Sequence, residues 1–121
     1  MALTKSAQAA QASTSNAAGA TTTSSSFSTN YGVSGVAKIT NGSTGPTVAC
    51  DFVIEVSNDN GTTWFEWSRQ TSATGNSTIT LFPFRLTIGN GADFGNWRSK
   101  FTGNTVQAVT VQCDAETTTA L

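Results

Sequence analysis

Histidine is absent from this 121-residue chain, and only 11% of its residues are charged. Without an imidazole, the chain has no base for the usual catalytic triad. Two cysteines and no histidine also fall short of an ordinary zinc site. Six basic and seven acidic residues nearly balance, and the basic residues are scattered along the chain. The sequence therefore predicts no metal, no cofactor and no nucleic-acid partner.

Long apolar runs are absent as well. No segment approaches the roughly 18 apolar residues of a transmembrane helix, so no membrane partner is expected. The first residues, MALTKSAQAAQAS, lack the leucine-rich apolar block of a signal peptide. Cys50 and Cys113 each fall on the apolar phase of a predicted strand, where we expect small buried hydrophobes. A disulfide between them is the alternative, which a cytoplasmic origin disfavours.

Alternation of apolar and polar residues is the clearest pattern that is present. Between residues 47 and 57 every second residue is apolar: Val48, Cys50, Phe52, Ile54 and Val56. A period of two predicts a half-buried β-strand. The turn residues at 59–61 and the aromatic run that follows them complete a hairpin.

Similar patterns predict strands along most of the chain. They lie at 22–31 with Phe27 and Tyr31 inward, 33–40 with Val36 and Ile39 inward, 62–70, 76–82, 84–88, 96–102 and 105–113. Pro83 is expected to separate two of them, because proline cannot donate a hydrogen bond to a ladder. Seven or eight short antiparallel strands indicate an all-β fold, a single β-sandwich or jelly roll over residues 21–113.

The two ends of the chain differ in composition from this core. Residues 1–20 are rich in Ala, Gln, Ser and Thr and have almost nothing to bury. We expect an extended N-terminal arm that is disordered or becomes ordered on a neighbouring chain, with a weak helix over 5–12 as the alternative. Residues 114–121 are expected to form a polar tail. On this interpretation, deleting residues 2–18 leaves the domain folded and weakens its attachment.

The carboxylates offer little for catalysis. Asp51 and Glu55 share one strand face, two pleat steps apart, and Glu66 is expected on the paired strand. Glycosidases use carboxyl groups roughly 5–9 Å apart, so Glu55 and Glu66 are the best candidates for an acid pair. Solvated carboxylates are nevertheless ordinary on the polar face of a hairpin. We therefore predict that the protein is not an enzyme and has no catalytic residues.

Aromatic side chains are the candidates for a binding surface. Trp64 and Trp67 are three residues apart and point to opposite faces of a strand, so one of them is expected to be exposed. Together with Tyr31 and Trp97 they are candidates for a protein interface or for a platform on which a sugar stacks. The alternative is that Trp64 and Trp67 belong partly to the core.

The segment from Ser57 to Trp64 resembles the Asp-box motif, S-x-D-x-G-x-T-W. The resemblance implies a structural turn made by Ser57, Asp59, Gly61 and Trp64. In such a turn Asp59 ties down the backbone, and Trp64 packs beneath it. Propellers with this motif carry one copy in each blade, so a single copy implies a hairpin and not a propeller.

Residues 20–113 resemble small β-sandwich proteins that are encoded among the structural genes of tailed bacteriophages. The likeness is carried by GATTTSSSF, VAKITNGSTGPTVACDFVIEVSNDNGTTW and NWRSKFTGNTVQAVTVQC. It implies a capsid decoration protein, or another accessory protein, that binds the major capsid protein or other virion proteins. A homo-oligomer such as a trimer, assembled in the host cytoplasm and located in the virion, is expected. A neck, tail or fibre component and a carbohydrate-binding module for host recognition are the alternatives.

Overall fold

The computed structural model describes residues 4–29, 32–86 and 95–120, and these form nine β-strands in two antiparallel sheets. The strands are β1 (Thr4–Asn16), β2 (Thr21–Thr23), β3 (Phe27–Ser28), β4 (Val33–Asn41), β5 (Asp51–Ser57), β6 (Phe65–Thr71), β7 (Ile79–Leu86), β8 (Asn96–Thr102) and β9 (Val109–Ala120). The predicted all-β sandwich is confirmed. In the described ranges we find no helix that is long and apolar enough to cross a membrane.

The strand pairs are nested within one another along the chain. β1 pairs with β9, β2 and β3 with β8, β4 with β7, and β5 with β6. The first sheet has the order β1-β9-β4-β7, and the second has the order β2-β8-β5-β6, with β3 also on β8. Because β2 and β3 pair with the same strand, they act as one interrupted strand. A long hairpin folded over in this way is a jelly roll of eight strands.

Aromatic rings fill the space between the two sheets. Phe52 lies at the centre, with its ring centroid 5.3–5.9 Å from those of Phe82, Phe84 and Phe101. Trp97 contacts Phe84 at 5.7 Å and is wholly buried. These rings come from both sheets. Each fully buried side chain contributes on the order of 1.5–3 kcal/mol to the free energy of folding.

Pro83 lies within a strand, so the predicted break at this residue was wrong. β7 runs without interruption from Ile79 to Leu86 and pairs with β4 throughout, with Pro83 opposite Val36. The strand tolerates proline because it is at the edge of its sheet, where one side has no neighbouring strand to receive a donor. Residues 87 and 88 of the expected second strand lie outside the described residues.

Two apolar side chains face away from the core, contrary to expectation. Val36 was expected to point inward but is 42% exposed, because the alternation in β4 turns Ala37 and Ile39 inward instead. Val48 is 54% exposed because β5 begins only at Asp51, three residues later than Val48. The alternation of apolar and polar residues in the sequence therefore begins before β5 itself begins.

The two ends of the chain, expected as an arm and a tail, are strands that pair with each other. β1 pairs with β9 in an antiparallel register that shifts three times, so the helix suggested for 5–12 was wrong. Few apolar residues are needed because β1 is an edge strand, although Ala10 and Asn16 are buried. Because β9 would lose its partner β1, we now expect deletion of residues 2–18 to destabilise the domain, whereas the sequence alone predicted that it stays folded.

Two buried asparagines fix the end of β1 against the β8–β9 connection. Asn16 Nδ2 donates a hydrogen bond of 2.6 Å to Asn104 Oδ1. Asn104 Nδ2 in turn donates to the carbonyl oxygens of Asn16 and Gln107, at 3.1 and 2.9 Å. Thr22 Oγ1 donates to Asn16 Oδ1 at 2.7 Å. A buried polar network whose members are paired favours one arrangement of the chain.

Cys50 and Cys113 are both free and buried. Burial raises the pKa of Cys50 to about 11, and the nearby charge of Asp51 adds to the effect. Burial likewise raises the pKa of Cys113 to about 12, with the charge of Asp114 adding. The thiols therefore pack as small hydrophobes, as the sequence predicted, and hold little reactive thiolate.

We predict that the folded protein does not react with iodoacetamide at mildly alkaline pH, whereas both cysteines are alkylated after unfolding in guanidinium chloride. Intact mass spectrometry against time gives the number of labels. The unfolded sample is the control for reagent quality. Equal labelling rates for native and unfolded protein would contradict the burial of both thiols.

Gly35 lies in the middle of β4 at a place with no room for a side chain. A Cβ atom there would overlap the carbonyl oxygen of Asp114 and would lie 2.7 Å from Cζ of Phe84. The Asp114 oxygen belongs to the backbone of β9, so the clash cannot be relieved by a side-chain rotation. Glycine at this position therefore allows β4, β9 and the Phe84 ring to pack together.

We predict that Gly35→Ala lowers the free energy of unfolding by about 1–3 kcal/mol, the usual cost of overpacking a core. Urea denaturation followed by tryptophan fluorescence measures this quantity. Gly42→Ala is the matched control, because the nearest atom to its added Cβ would be the Thr44 oxygen, at 4.0 Å. If both variants have the stability of the parent protein, the close packing at Gly35 is wrong.

Candidate functional site

Side-chain hydrogen bonds close the loop between β5 and β6. Asp59 Oδ1 accepts hydrogen bonds from Ser57 Oγ at 2.7 Å and from the Thr63 amide at 2.8 Å. Ser57 Oγ accepts a bond of 2.9 Å from the Gly61 amide, and Trp64 Nε1 donates to the Gly61 carbonyl at 3.1 Å. Gly61 has a φ of 87°, which favours glycine. All four expected turn residues thus take part in one bonded loop.

The carboxylate of Asp59 serves this loop and is not available for chemistry. Hydrogen bonds from the hydroxyl and amide of Thr63, followed by that from Ser57, lower the pKa of Asp59 to about 2. The group is therefore ionised at neutral pH. Its charge is stabilised by donors of its own loop, which is a structural role.

Trp64 connects this loop to the outer face of the second sheet. The guanidinium carbon of Arg98 lies 4.2 Å from the centroid of the Trp64 ring, a cation–π contact. Arg98 Nε also donates to Glu55 Oε1 at 2.8 Å. One face of the indole is therefore covered by an arginine that is itself held in an ion pair. Trp64 is half-buried and does not present an open platform for a sugar ring.

The carboxylates considered as an acid pair are each neutralised. Glu55 and Glu66 lie opposite each other on β5 and β6. Glu55 is only 8% exposed, and it lies 2.8 Å from Arg98 Nε and 3.3 Å from Lys100 Nζ. Glu66 lies 2.9 Å from Arg69. The outer face of the second sheet thus carries a layer of ion pairs.

Electrostatics in this layer oppose acid catalysis. Burial by itself would raise the pKa of Glu55, but the hydrogen bond and charge of Arg98, followed by those of Lys100, lower it overall. A general acid at neutral pH needs a raised pKa. Asp51 also forms an ion pair, 2.7 Å from Arg69. Within the described parts of the chain we find no cluster of acidic, cysteine or histidine side chains that could hold a metal ion.

The aromatic candidates are distributed between the core and the surface. Trp97 is wholly buried, because its position in β8 points between the sheets, so the expected role of Trp97 in an interface or in sugar stacking was wrong. Tyr31 lies outside the described residues. Trp67, on the edge strand β6, is 49% exposed, and Phe65 on the same strand is 57% exposed. Phe65 was not singled out from the sequence, although it stands two residues from Trp67.

The outer face of the first sheet forms a second surface feature, a shallow open groove of about 1100 Å³. Its floor is formed by β4 and β9 and its sides by β1 and β7. The lining residues lie at 7–9, 34–36, 83–85 and 114–116. Sequence reasoning missed the groove because it depends on the pairing of the two chain ends.

Comparisons with known proteins bear on the fold. No protein-family model matches the sequence, and no curated protein matches it. Among solved structures, a viral particle of infectious bursal disease virus matches with a TM-score of 0.62 and 14% identity over 94% of this chain. The VP2 subviral particle of the same virus matches with a TM-score of 0.58 and 14% identity over 97% of this chain.

The share of the matched chain that our chain covers differs between the viral proteins and a bacterial one. Our chain spans only 30% and 33% of the two viral chains. A structure of Bacillus endospore appendages, described as disulfide-linked pili, matches with a TM-score of 0.51 and 12% identity, over 99% of this chain and 93% of that one. At such low identities the likeness shows the fold alone. The β-sandwich architecture is therefore shared with proteins that build viral shells and pili.

We predict that Asp59→Asn reduces the dependence of stability on acidic pH. A folded pKa of about 2 lies below the ordinary value near 4, so the carboxylate stabilises the fold above pH about 4. That contribution is lost as pH falls through about 2. Urea unfolding at a series of acidic pH values measures the slope. Asn58→Ala, a neighbouring loop change that keeps the carboxylate, is the control, and equal slopes for Asp59→Asn and the parent would contradict the role of Asp59.

Proposed function

We propose that this protein is a non-enzymatic accessory protein of a bacteriophage capsid that binds the major capsid protein through the exposed aromatic edge of β6. The observation that carries this proposal is the exposure of two aromatic side chains, Phe65 at 57% and Trp67 at 49%. The carboxylates of the same sheet, in contrast, are held in ion pairs. Large aromatic side chains at a surface are the residues that anchor protein interfaces.

The chemistry of the described residues supports a binding role over a catalytic one. Glu55, Glu66 and Asp51 are paired with arginine or lysine, and Asp59 is bonded within its own loop. No imidazole is present anywhere in the sequence. The chain therefore acts by covering surface, and its effect on a shell is to raise the cost of separating adjoining subunits.

The fold and the sequence resemblance support the same proposal. Jelly rolls occur in viral capsid proteins, and the two viral neighbours match nearly the whole length of our chain. The segments that resemble structural proteins of tailed phages cover β2, the first residue of β3, most of β4, β5, β8 and the first part of β9. Four of these strands, β4, β5, β8 and β9, form the centre of the two sheets, so most of the resemblance applies to the core of the fold.

The edge position of β6 suits attachment to a partner. An edge strand offers unpaired backbone groups that a partner can meet with its own backbone, while neighbouring side chains give specificity. The register shift between Ile54 and Glu55, together with the charged pair Glu66 and Arg69, protects the same edge from indiscriminate pairing. Phe65 and Trp67 then provide apolar anchors, each worth on the order of 2 kcal/mol or more when fully buried.

A sugar-binding role has less support in the geometry. The platform proposed from sequence needed at least two open aromatic faces. Trp97 is in the core and Trp64 has one face against Arg98. This leaves Trp67 as the one exposed member of that set among the described residues. We therefore retain the protein interface as the function of the β6 edge.

The proposal predicts that Trp67→Ala and Phe65→Ala each weaken binding to capsids at least tenfold, since losing about 1.4 kcal/mol has that effect. Capsids purified from the phage that encodes the chain, and lacking this protein, are titrated with purified variants, and bound protein is quantified by mass spectrometry. Val106→Ala is the control, because Val106 is also an exposed apolar residue but lies on the β8–β9 connection.

Two results would contradict the proposal. The first is absence of the protein from purified virions, with all of it free or in exported filaments. The second is unchanged capsid binding by both aromatic variants. Recovery with tails or fibres and not with heads would assign the protein to a neck, tail or fibre component in place of a capsid accessory.

A further inference from the structure

We propose that the outer face of the first sheet is a self-association surface, on which a second copy of this chain packs about a two-fold axis. The surface is the groove floored by β4 and β9 together with the β7 rim beside it. It lies on the sheet opposite to Phe65 and Trp67, so the inference does not depend on capsid binding. Charges without an ion pair, exposed apolar side chains and a weakly protected edge meet on this face.

The outer faces of the two sheets differ in whether their charged side chains form ion pairs. The four ion-pair contacts among the described residues all lie on the second sheet. On the first sheet, Lys38 is half-buried on β4 and Lys5 is exposed on β1, and three further charged residues are exposed: Arg85 on β7, and Asp114 and Glu116 on β9. No ion pair joins these three to any part of the chain that the structure describes. Asp114 accepts a hydrogen bond from Gln112 Nε2 at 2.9 Å.

Arg85 and Glu116 are on one row of the sheet but cannot meet within one chain. Ser34 on β4 is opposite Arg85 on one side and opposite Glu116 on the other. The two charged residues are therefore two strand spacings apart, roughly 10 Å. A two-fold axis that places the β7 rim of one copy over the β9 floor of the other brings Arg85 to Glu116 twice. The row through Ser34 is thus complementary to itself, as an isologous interface requires, and the same axis brings the two Lys38 side chains near each other.

Apolar side chains lie beside these charges. Ile79 and Leu81 on β7 are 59% and 58% exposed, and Val36 on the groove floor is 42% exposed. Pro83, which lines the groove next to Val36, is exposed as well. The groove can receive the rim of a second copy, so the apolar residues of both copies become covered together.

The β7 edge is less protected than the other sheet edges, with Pro83 and the charge of Arg85 as its protection. β1 shifts register three times along β9, β6 contains a register shift and an ion pair, and β2 and β3 are two or three residues long. β7 pairs with β4 over eight residues with no shift, and its outward side chains at 79, 81 and 83 are apolar. Pro83 removes one donor from this edge but leaves the apolar stripe exposed.

The size of the face sets the expected affinity. Four strands cover about 19 Å across the sheet and eight residues about 27 Å along it, a projected area of about 500 Å². Interfaces of this size are at the low end of specific contacts. We therefore expect a dimer with a dissociation constant in the micromolar range, which is populated at high local concentration such as on an assembling particle.

The test is sedimentation equilibrium over a concentration series that spans the micromolar range. Arg85→Glu and Glu116→Arg should each weaken self-association at least tenfold, because each places like charges opposite each other. Mixing the two variants should restore association, since a mixed dimer has two opposite-charge contacts. An effect within one chain would not be rescued by mixing, so this arm isolates the contact between copies.

Controls separate the outcomes. Thr62→Glu, on the exposed β5–β6 loop of the other sheet, should dimerise like the parent protein. Thermal unfolding of all variants checks that each is folded, and Leu81→Gln tests the apolar rim without a charge change. A parent protein that stays monomeric across the range, or association that neither Arg85→Glu nor Leu81→Gln weakens, would overturn the proposal. Capsid binding by Arg85→Glu is measured separately, so loss of self-association does not count against the function of β6.

Discussion

The pairing of β1 with β9 is the contact on which the rest of the architecture depends. It joins residues 4–16 to residues 109–120, so the two ends of the chain must meet before the first sheet is complete. Loop closure over such a distance costs entropy, and a polar strand offsets this cost mainly through backbone hydrogen bonds. The Asn16–Asn104 hydrogen bonds then hold the end of β1 against the β8–β9 connection. Both the closed sandwich and the groove on the first sheet follow from this one pairing.

The outer faces of the two sheets differ in how their few charged residues are paired. On the second sheet, acids and bases cancel locally, and Glu55 is even buried between Arg98 and Lys100. A surface neutralised in this way has little long-range attraction for a charged partner, so in the function that we propose the aromatic residues of β6 determine what binds there. On the first sheet Arg85 and Glu116 are left without an ion pair, in the part of the chain that the structure describes. In the two contacts that we propose, charge therefore directs association on the first sheet and apolar contact directs it on the second.

Sequence patterns predicted the strands that are buried on one face and missed those whose stability comes from pairing alone. β8 occupies the predicted range 96–102, and the inward residues of β5 follow the period of two. β1 has no such period, because an edge strand of Ala, Gln and Ser needs only a partner for its backbone. Whether a tryptophan is buried depends on which face of its strand it occupies, and that face depends on where the strand begins. Trp97 is therefore in the core, whereas the register shift opposite Glu55 accompanies an exposed Trp67.

Low charge also limits how a β-sandwich keeps its edges from pairing with other chains. Charged side chains are a common protection, yet only 11% of this sequence is charged, and six of its 13 charged residues form ion pairs on the second sheet. The remaining devices are register shifts in β1, the shortness of β2 and β3, and a single proline in β7. Of these, the proline removes one donor and covers no apolar surface. An edge that combines a regular ladder with exposed Ile79 and Leu81 is costly in an isolated monomer, and this cost disappears when a partner covers it. The low charge of the chain therefore accounts for both its weakly protected β7 edge and the self-association that we propose for this face.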